Sequence, residues 1–425
     1  VRPRPRPRAE RERLGLAPIR ALLGRLGEPQ RGLACIHVAG SKGKGSVVLL
    51  AESILERAGV RTAAFTSPHL ERWTERFRVA GGEISPAVLT AAIARLAPEV
   101  EALQRADPDR APGFFDVLTA AAFLIFRRAG VECALIETGL GGRLDATRAC
   151  SALATCITTI EREHADKLGT ELAAIAAEKA GIIRPRTPLT VGALPAEAAR
   201  VIGAQARRLG APLRRLGERV RLLPAAEGRL GLAWDDGLAV ESAWPLAGAP
   251  HMAANAALAA DCVRASGMLA GERLAGAVRD GLARACLPGR LELLGERPWV
   301  VVDCAHTEAS VRALEAWLAR FPARRRHLLV SLTRGKDPAR VLAPLLAGAA
   351  RVVATCAEPE RSLPAAELAA ALAGRGVSPE VVPDPRAALT GARSALGARD
   401  LLCCTGSVYL AGLARAALRP SDRPS

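Results

Sequence analysis

Short apolar runs alternate with longer amphipathic stretches along most of the chain, and this rhythm predicts strands and helices in turn. Leu33–Ala39 is apolar, bounded by glycine and β-branched at Ile36 and Val38, which predicts a buried parallel strand. Val47–Arg57 follows as an apolar-rich helix closed by Gly59. Upstream, Leu14, Leu16, Ile19, Leu22, Leu23 and Leu26 fall at helical spacing within Arg11–Leu26. Downstream come a strand at Val60–Thr66 and a charged loop or hairpin at Glu71–Glu83 containing Gly81-Gly82. A helix then runs from Ser85 to about Gln104, with Ser85 as N-cap and Pro86 in its first turn. Further on, Asp116–Arg128, Thr170–Ala180 and Ala196–Leu209 are predicted helices, Pro250–Asn255 leads into an Ala-rich helix to about Ser266, and Cys133–Thr138 and Ala154–Ile160 are predicted strands. Arg219–Val240 reads as a small β excursion.

Turn signals and a shift in composition over 285–298, including Pro288-Gly289-Arg290, place a domain boundary there. Beyond it the rhythm restarts, with strands at Trp299–Asp303, His327–Leu332, Val352–Cys356 and Leu401–Thr405. Between them lie helices at Ser310–Ala319, Pro338–Leu346, Pro364–Leu372 and Arg386–Leu396. The fold class predicted is α/β: an N-terminal P-loop ATPase-like domain with a parallel sheet over 11–287, and a smaller C-terminal Rossmann-like domain over 298–425. Residues 1–10, where Arg alternates with Pro, read as a disordered basic arm. No G-x-G-x-x-G follows the first strand of the C-terminal domain, so no dinucleotide is assigned to it.

A length of 425 residues suits two domains, and a half-hydrophobic composition with 3% aromatics predicts aliphatic cores. The formal charge of +16 raises the question of nucleic acid. The first twenty residues carry +5 of it, and the remaining +11 is scattered without interleaved aromatics, which argues against a base-stacking platform. Small anionic substrates explain a basic cleft equally well. The ten cysteines form no C-x-x-C, and most lie in apolar runs (Cys35, Cys133, Cys156, Cys304, Cys356, Cys403, Cys404). They read as small buried hydrophobes in a reducing cytoplasm. No signal-peptide core and no run of about twenty apolar residues is present, so neither export nor a membrane span is expected.

Candidate chemistry concentrates after the first strand, in Gly40-Ser-Lys-Gly43-Lys44-Gly45-Ser46. A strand, a glycine turn and a helix N-terminus make an anion site, because backbone N–H groups and the helix dipole converge there. Lys44 would meet the β- and γ-phosphates, and a nearby hydroxyl would hold Mg²⁺. The spacing departs from the strict P-loop: Gly40 stands three residues before Gly43, and Gly45 separates Lys44 from Ser46. An ordinary glycine-rich βα turn is the competing reading. Glu137 closes an apolar strand ahead of Gly139-Leu-Gly141-Gly142-Arg143-Leu-Asp145, and open parallel sheets bind ligands beyond such strand ends. His37 reads as a core histidine and His69 as a structural one; His164, among charged neighbours, reads by itself as part of a solvated loop. His306, after strand-end Asp303, serves a helix-capping loop or a ligand with equal ease.

The ordered set of motifs resembles the folylpolyglutamate synthase/dihydrofolate synthase family within the ATP-dependent Mur ligases. It comprises His37–Ser46, Ser67-Pro-His-Leu70, Glu137–Thr147, Ile175–Ile182, Asn255, Pro288-Gly-Arg290 and Asp303-Cys-Ala-His306. The resemblance implies an ATP-dependent ligase that adds L-glutamate to dihydropteroate, to reduced folates or to both, through an acyl phosphate. It implies ATP contacts from Gly43, Lys44, Gly45, Ser46, Asn255, Arg290 and Asp303, and Mg²⁺ at two sites through Ser67, Glu137, His164 and a carbamylated Lys179. Lys44, Lys179 and His164 are the implied catalytic groups. Leu14, Gly15, Leu16, Phe115, Thr119, Gly141, Gly142, Arg143 and His306 are the implied substrate contacts. A monomer acting on small molecules, without nucleic acid or membrane, is expected. Glu163, Asp116, Met252, Thr307 and Arg148 depart from the family's usual Asp, Glu, Gln, Asn and Asn. Two alternatives remain: a Mur-type ligase on another carboxylate, to which a start so near Lys44 is opposed, and a basic P-loop NTPase that binds nucleic acid.

Overall fold

The computed structural model describes residues 15–162, 169, 171–373 and 375–419. The chain divides into two compact units. One contains the chain up to His69 and Trp73–Cys286; the other combines Leu70–Arg72 with the chain from Leu287 onward. The basic arm expected at 1–10 lies outside the described residues.

The first unit is built on β1 (Ala34–Ala39), β2 (Thr62–Phe65), β3 (Phe77–Val79), β4 (Gly82–Glu83), β5 (Cys133–Glu137), β6 (Ser151–Ile157), β7 (Leu189–Val191) and β8 (Leu213–Arg215). They form one sheet in the order β4-β3-β2-β5-β1-β6-β7-β8. From β2 to β8 every pairing is parallel, while β3 and β4 return antiparallel at the edge. β1 and β5 therefore lie centrally, buried along nearly their whole length, which is what continuous apolar runs demand. One core gathers Leu16, Ile19, Leu22 and Leu23 with Phe65, Phe77, Phe123 and Phe126. A second gathers Ile157, Ile175, Ile182, Leu189 and Ile202.

Three further strands, β9 (Val220–Leu223), β10 (Arg229–Trp234) and β11 (Ala239–Ala243), make the antiparallel β excursion in the order β11-β10-β9. It is tied to the helix Pro250–Ala265 through Asp261. That fully buried carboxylate accepts from Arg214 Nη2 at 2.7 Å, Arg214 Nε and Thr190 Oγ1 at 2.9 and 2.8 Å, and Trp234 Nε1 at 3.1 Å. A buried carboxylate survives because it is paired and its lone pairs are occupied.

The second unit holds β12 (Glu292–Glu296), β13 (Trp299–Val302), β14 (Arg326–Val330), β15 (Arg351–Ala354), β16 (Glu380–Val381) and β17 (Leu401–Thr405), ordered β12-β13-β17-β14-β15-β16. Only β12 is antiparallel. Asp400, just before β17, takes Arg325 Nη2 at 2.8 Å and Gly397 N–H at 2.8 Å. These bonds, Arg325 first, hold its carboxyl at about 2.

Several expectations are corrected. Of the helix expected over Arg11–Leu26, residues 11–14 lie outside the described residues; the described part is Ala17–Arg25, with Gly15 at φ +55° ahead of it and Pro18 in its first turn. The glycine-turn helix starts at Lys44, three residues before Val47, since Gly43 in the left-handed region serves as its N-cap. The segment 71–83, read as a loop or hairpin, contains the hairpin β3–β4, whose buried Phe77 also pairs with Phe65 of β2. The turn-rich 285–298 contains strand β12. β7, β8, β16 and the helices Gly271–Arg284 and Val408–Leu418 were not anticipated. Burial pushes Cys133 and Cys404 up to about 12 and Cys304 up to about 11, as befits thiols that act as core hydrophobes. No helix among the described residues is long and apolar enough to cross a membrane.

Candidate functional site

The turn between β1 and the helix Lys44–Arg57 is shaped by what glycine leaves out. Gly43 has φ +83°, and a Cβ there would come 2.4 Å from Asn255 Oδ1. Gly40 has φ +149°, and its Cβ would lie 1.9 Å from Thr158 Oγ1. Both positions therefore need glycine twice over, for conformation and for space. Two threonines just beyond β6 hold the turn from outside. Lys42 N–H donates to Thr159 Oγ1 at 2.9 Å, Thr158 Oγ1 donates to the Lys42 carbonyl, and Ser41 N–H donates to the Thr159 carbonyl at 2.8 Å. Lys44 Nζ lies back over its own loop, donating to the Gly40 carbonyl at 3.0 Å and the Ser41 carbonyl at 3.4 Å. Ser46 is buried in the first helical turn.

Glu137, at the end of β5, is buried against this turn: its Oε2 is 3.3 Å from where a Gly45 Cβ would be. The same oxygen accepts Ser67 N–H at 2.9 Å. The glycine loop beyond β5 is fastened by Asp145, whose Oδ2 accepts the N–H of Gly139 at 3.0 Å and of Leu140 at 2.9 Å. Thr147 donates to Asp145 Oδ1, and His37 Nε2 lies 2.9 Å from Thr147 Oγ1, so the core histidine ties β1 to this loop.

Gly142 packs on the end of the helix Leu172–Ala180, where a Cβ would meet the Glu178 and Lys179 carbonyls at 2.9 Å. Arg143 N–H bonds the Glu178 carbonyl at 2.8 Å, and Arg143 Nη2 bonds the Glu178 carboxylate at 2.6 Å. Lys179, buried on that helix, donates from Nζ to the Gly40 carbonyl at 2.8 Å. The departure at Arg148 finds its reason here: Nε caps the helix end by donating to the Gly181 carbonyl at 2.7 Å.

The first unit thus brings together Gly43, Lys44, Gly45, Ser46, Ser67, Glu137, Gly141, Gly142, Arg143, Lys179 and Asn255. Phe115 adjoins them, its ring filling the space 2.5 Å from a Gly139 Cβ. Thr119 is turned inward, with its hydroxyl donating to the Phe115 carbonyl at 2.8 Å. Leu16 belongs to the core, and Gly15 forms the turn ahead of the first helix. Leu14 and His164 lie outside the described residues. Among the described residues no group of three or more His, Cys, Asp or Glu could hold a metal.

Arg290, Asp303 and His306 lie in the second unit. Asp303 Oδ2 accepts Leu291 N–H at 2.8 Å and Oδ1 accepts Ala305 N–H at 2.6 Å, so it fixes the loop that carries Arg290. Burial raises its carboxyl above the ordinary range, with Arg290 opposing. His306 Nδ1 lies 2.8 Å from the Cys304 carbonyl. Thr307 caps the helix Glu308–Leu318, which accounts for a hydroxyl at that departure. Lys336 went unnoticed in the sequence; its Nζ donates to the His306 carbonyl at 2.6 Å. Thr158 and Thr159 were also missed, although paired threonines at a strand's C-terminal end are a usable signal.

Residues 289–408 match the family model for the Mur ligase, glutamate ligase domain. The dihydrofolate synthase/folylpolyglutamate synthase of Bacillus subtilis is 35% identical over 333 residues, 76% of this chain and 76% of its own length. The folylpolyglutamate synthase of Mycobacterium tuberculosis, solved with ADP and AMPPCP, superposes with a TM-score of 0.87 at 34% identity, covering 97% of this chain and 96% of that one. The bifunctional folylpolyglutamate synthase/dihydrofolate synthase of Yersinia pestis, solved with AMPPNP and a Mn ion, gives a TM-score of 0.82 at 29% identity over 95% of this chain and 93% of that one. The chain belongs to the folylpolyglutamate synthase/dihydrofolate synthase family of the Mur ligases.

Proposed function

We propose that this chain is an ATP-dependent, ADP-forming ligase that joins L-glutamate to dihydropteroate and extends reduced folates with further glutamate. The observation that carries the reading is the Gly40–Ser46 turn, whose glycines are enforced by Thr158 and Asn255 and whose edge meets the buried Glu137 carboxylate. Backbone N–H groups at this helix N-terminus bind the phosphates of ATP, and Lys44 swings from its own loop carbonyls to the γ-phosphoryl group. Glu137 beside Ser67 offers hard oxygen donors, a fit for Mg²⁺, which keeps several waters and shares substrate phosphate oxygens. The cation supplies neutralisation of charge on the transferring phosphoryl oxygens.

The substrate carboxylate attacks the γ-phosphorus, ADP leaves, and the glutamate amine displaces phosphate from the acyl phosphate while losing a proton. Asn255 and the Gly40 turn orient the nucleotide; Arg143 and the Gly141-Gly142 loop face the carboxylate substrate. In the second unit, Arg290 on its Asp303-pinned loop contacts nucleotide, and His306 contacts substrate. Lys179, whose Nζ lies 2.8 Å from the Gly40 carbonyl, would carry a carbamate, formed when its neutral amine adds carbon dioxide and releases a proton, and with His164 it would hold a second Mg²⁺. An ammonium in the same place would repel the metal. The enzyme acts as a cytoplasmic monomer, which sedimentation of the purified chain checks.

The test is ligation with ATP, Mg²⁺ and labelled glutamate, run separately on dihydropteroate and tetrahydrofolate. Oxygen-18 placed in the pterin carboxylate should appear in the released phosphate; label retained wholly in the amide overturns the acyl phosphate. Activity on tetrahydrofolate alone reduces the reading to polyglutamylation. NTP turnover stimulated by DNA or RNA and not by pterin acids would replace it with a nucleic-acid-binding NTPase.

A further inference from the structure

In a chain with seven Phe, five Trp and one Tyr, an exposed aromatic side chain is conspicuous. Among the described residues two large aromatics are exposed, Trp73 at 48% and Phe114 at 40%, and they meet each other edge to face with centroids 5.4 Å apart. The His69 ring abuts Trp73 at 4.5 Å, and the Arg76 guanidinium lies 5.3 Å from the Trp73 centroid. Arg76 Nε donates to His69 Nδ1 at 2.9 Å. Since Nδ1 accepts, the ring proton is on Nε2, which leaves a directed donor at the border of the exposed rings.

This patch does not stand apart from the site. Phe114 is followed by Phe115, whose ring is 5.7 Å from Phe65, and Phe65 lies 5.4 Å from Phe77 in the core. Phe115 also fills the room beside Gly139, two residues beyond Glu137. The exposed pair is thus one helix position away from an aromatic cluster that reaches the glycine loop beyond Glu137. Paired exposed aromatics beside such a site mark a surface suited to being covered. A flat conjugated ring with polar edges suits them, since it gains stacking area on the rings and a hydrogen bond from His69.

We propose that Trp73 and Phe114 form a shelf that stacks the planar conjugated body of the pterin acid, with His69 Nε2–H as donor to its polar edge. The proposal rests on the reaction read above and adds residues that determine its specificity. Trp73→Ala should raise KM for dihydropteroate about tenfold, and Trp73→Phe about twofold, while KM for ATP and for glutamate stay at their wild-type values. Phe114→Ala should behave like Trp73→Ala. In a binding titration, dihydropteroate should quench the tryptophan fluorescence of the wild-type chain, and Trp73→Phe should abolish most of that quench. Wild-type KM for dihydropteroate in Trp73→Ala would overturn the proposal. So would an equal rise in KM for ATP, or a change confined to sedimentation, which would make the patch a contact between copies. Should the wild-type chain ligate no pterin acid, the reading of the reaction fails, and the quench in wild type against Trp73→Phe still decides the shelf.

Discussion

Strands β1 and β13 each run into a loop and then a helix, yet a carboxylate is built into one of these loops and not into the other. After β1 the loop is held from outside, by Thr158 and Thr159 from the end of β6 and by Lys179 on Gly40. After β13 the loop is likewise held from outside, by Lys336 on the His306 carbonyl and Thr405 on the Ala305 carbonyl, but Asp303 in addition reaches the Ala305 N–H from within the loop and the Leu291 N–H ahead of β12. In the first loop the inner charged group is the Lys44 ammonium, which suits an anion, whereas in the second it is a carboxylate that already occupies a backbone N–H. Position at the C-terminal end of a parallel strand therefore does not by itself make a phosphate cradle; the charge of the side chain built into the loop differs between the two.

The sharpest way to break this comparison is to add one methyl group to each unit. Gly43→Ala meets both a φ of +83° and Asn255 Oδ1 at 2.4 Å, and should cut kcat about a hundredfold or more. Gly335→Ala, at φ +80° but with nothing within 4 Å of its Cβ, should cost about 1–2 kcal/mol of stability and leave ligation near wild type. Equal losses of ligation in the two variants would erase the distinction.

Next in size, Lys179→Ala should lose about a hundredfold in ligation, with partial recovery when a short carboxylic acid is supplied to replace the carbamate. A lysine found unmodified in crystals grown with bicarbonate, together with no recovery by added acid, would remove the carbamate from the scheme.

Asp303→Asn probes the other loop. An amide keeps one acceptor and turns an NH₂ toward a backbone N–H, so urea denaturation should show a loss of about 1–3 kcal/mol. No loss would mean that the two short bonds contribute nothing.

The smallest effect is expected at Asp400. Its folded-state pKa of about 2 lies below the unfolded value, so its contribution is complete above about pH 4 and disappears as pH falls through about 2. Tm followed from pH 5 to 2 should fall less steeply in Asp400→Asn than in wild type, and parallel curves would contradict the assignment.

Much of this was legible beforehand, for identifiable reasons. β1, β5 and the helix Lys44–Arg57 announce themselves through apolar runs and glycine punctuation, and Glu137 through its position closing such a run. β8 did not, because Leu-Arg-Arg looks like solvent-facing chain until Asp261 is there to receive Arg214. The helix Gly271–Arg284 was hidden by interior glycines. Gly281 turns out to be where that helix crosses the helix Lys44–Arg57, with a would-be Cβ 2.7 Å from Ile54 Cα. The paired threonines Thr158 and Thr159 after a strand are visible locally, but the turn they grip lies more than a hundred residues earlier and is a tertiary partner that no local pattern names.

The short segment Leu70–Arg72 has a bearing on how such a chain can be cut or inherited. It belongs to the second unit although it is encoded far ahead of it. Leu70 packs against that unit's core, its carbonyl is 2.3 Å from a would-be Gly412 Cβ, and Glu71 pairs with buried Arg415 at 3.2 Å. A gene fragment opening at Leu287 would therefore translate into a body with one of its walls missing: Gly412 would face a void and Arg415 would lose one of its carboxylates. A cassette that carries this unit whole must bring Leu70–Arg72 with it.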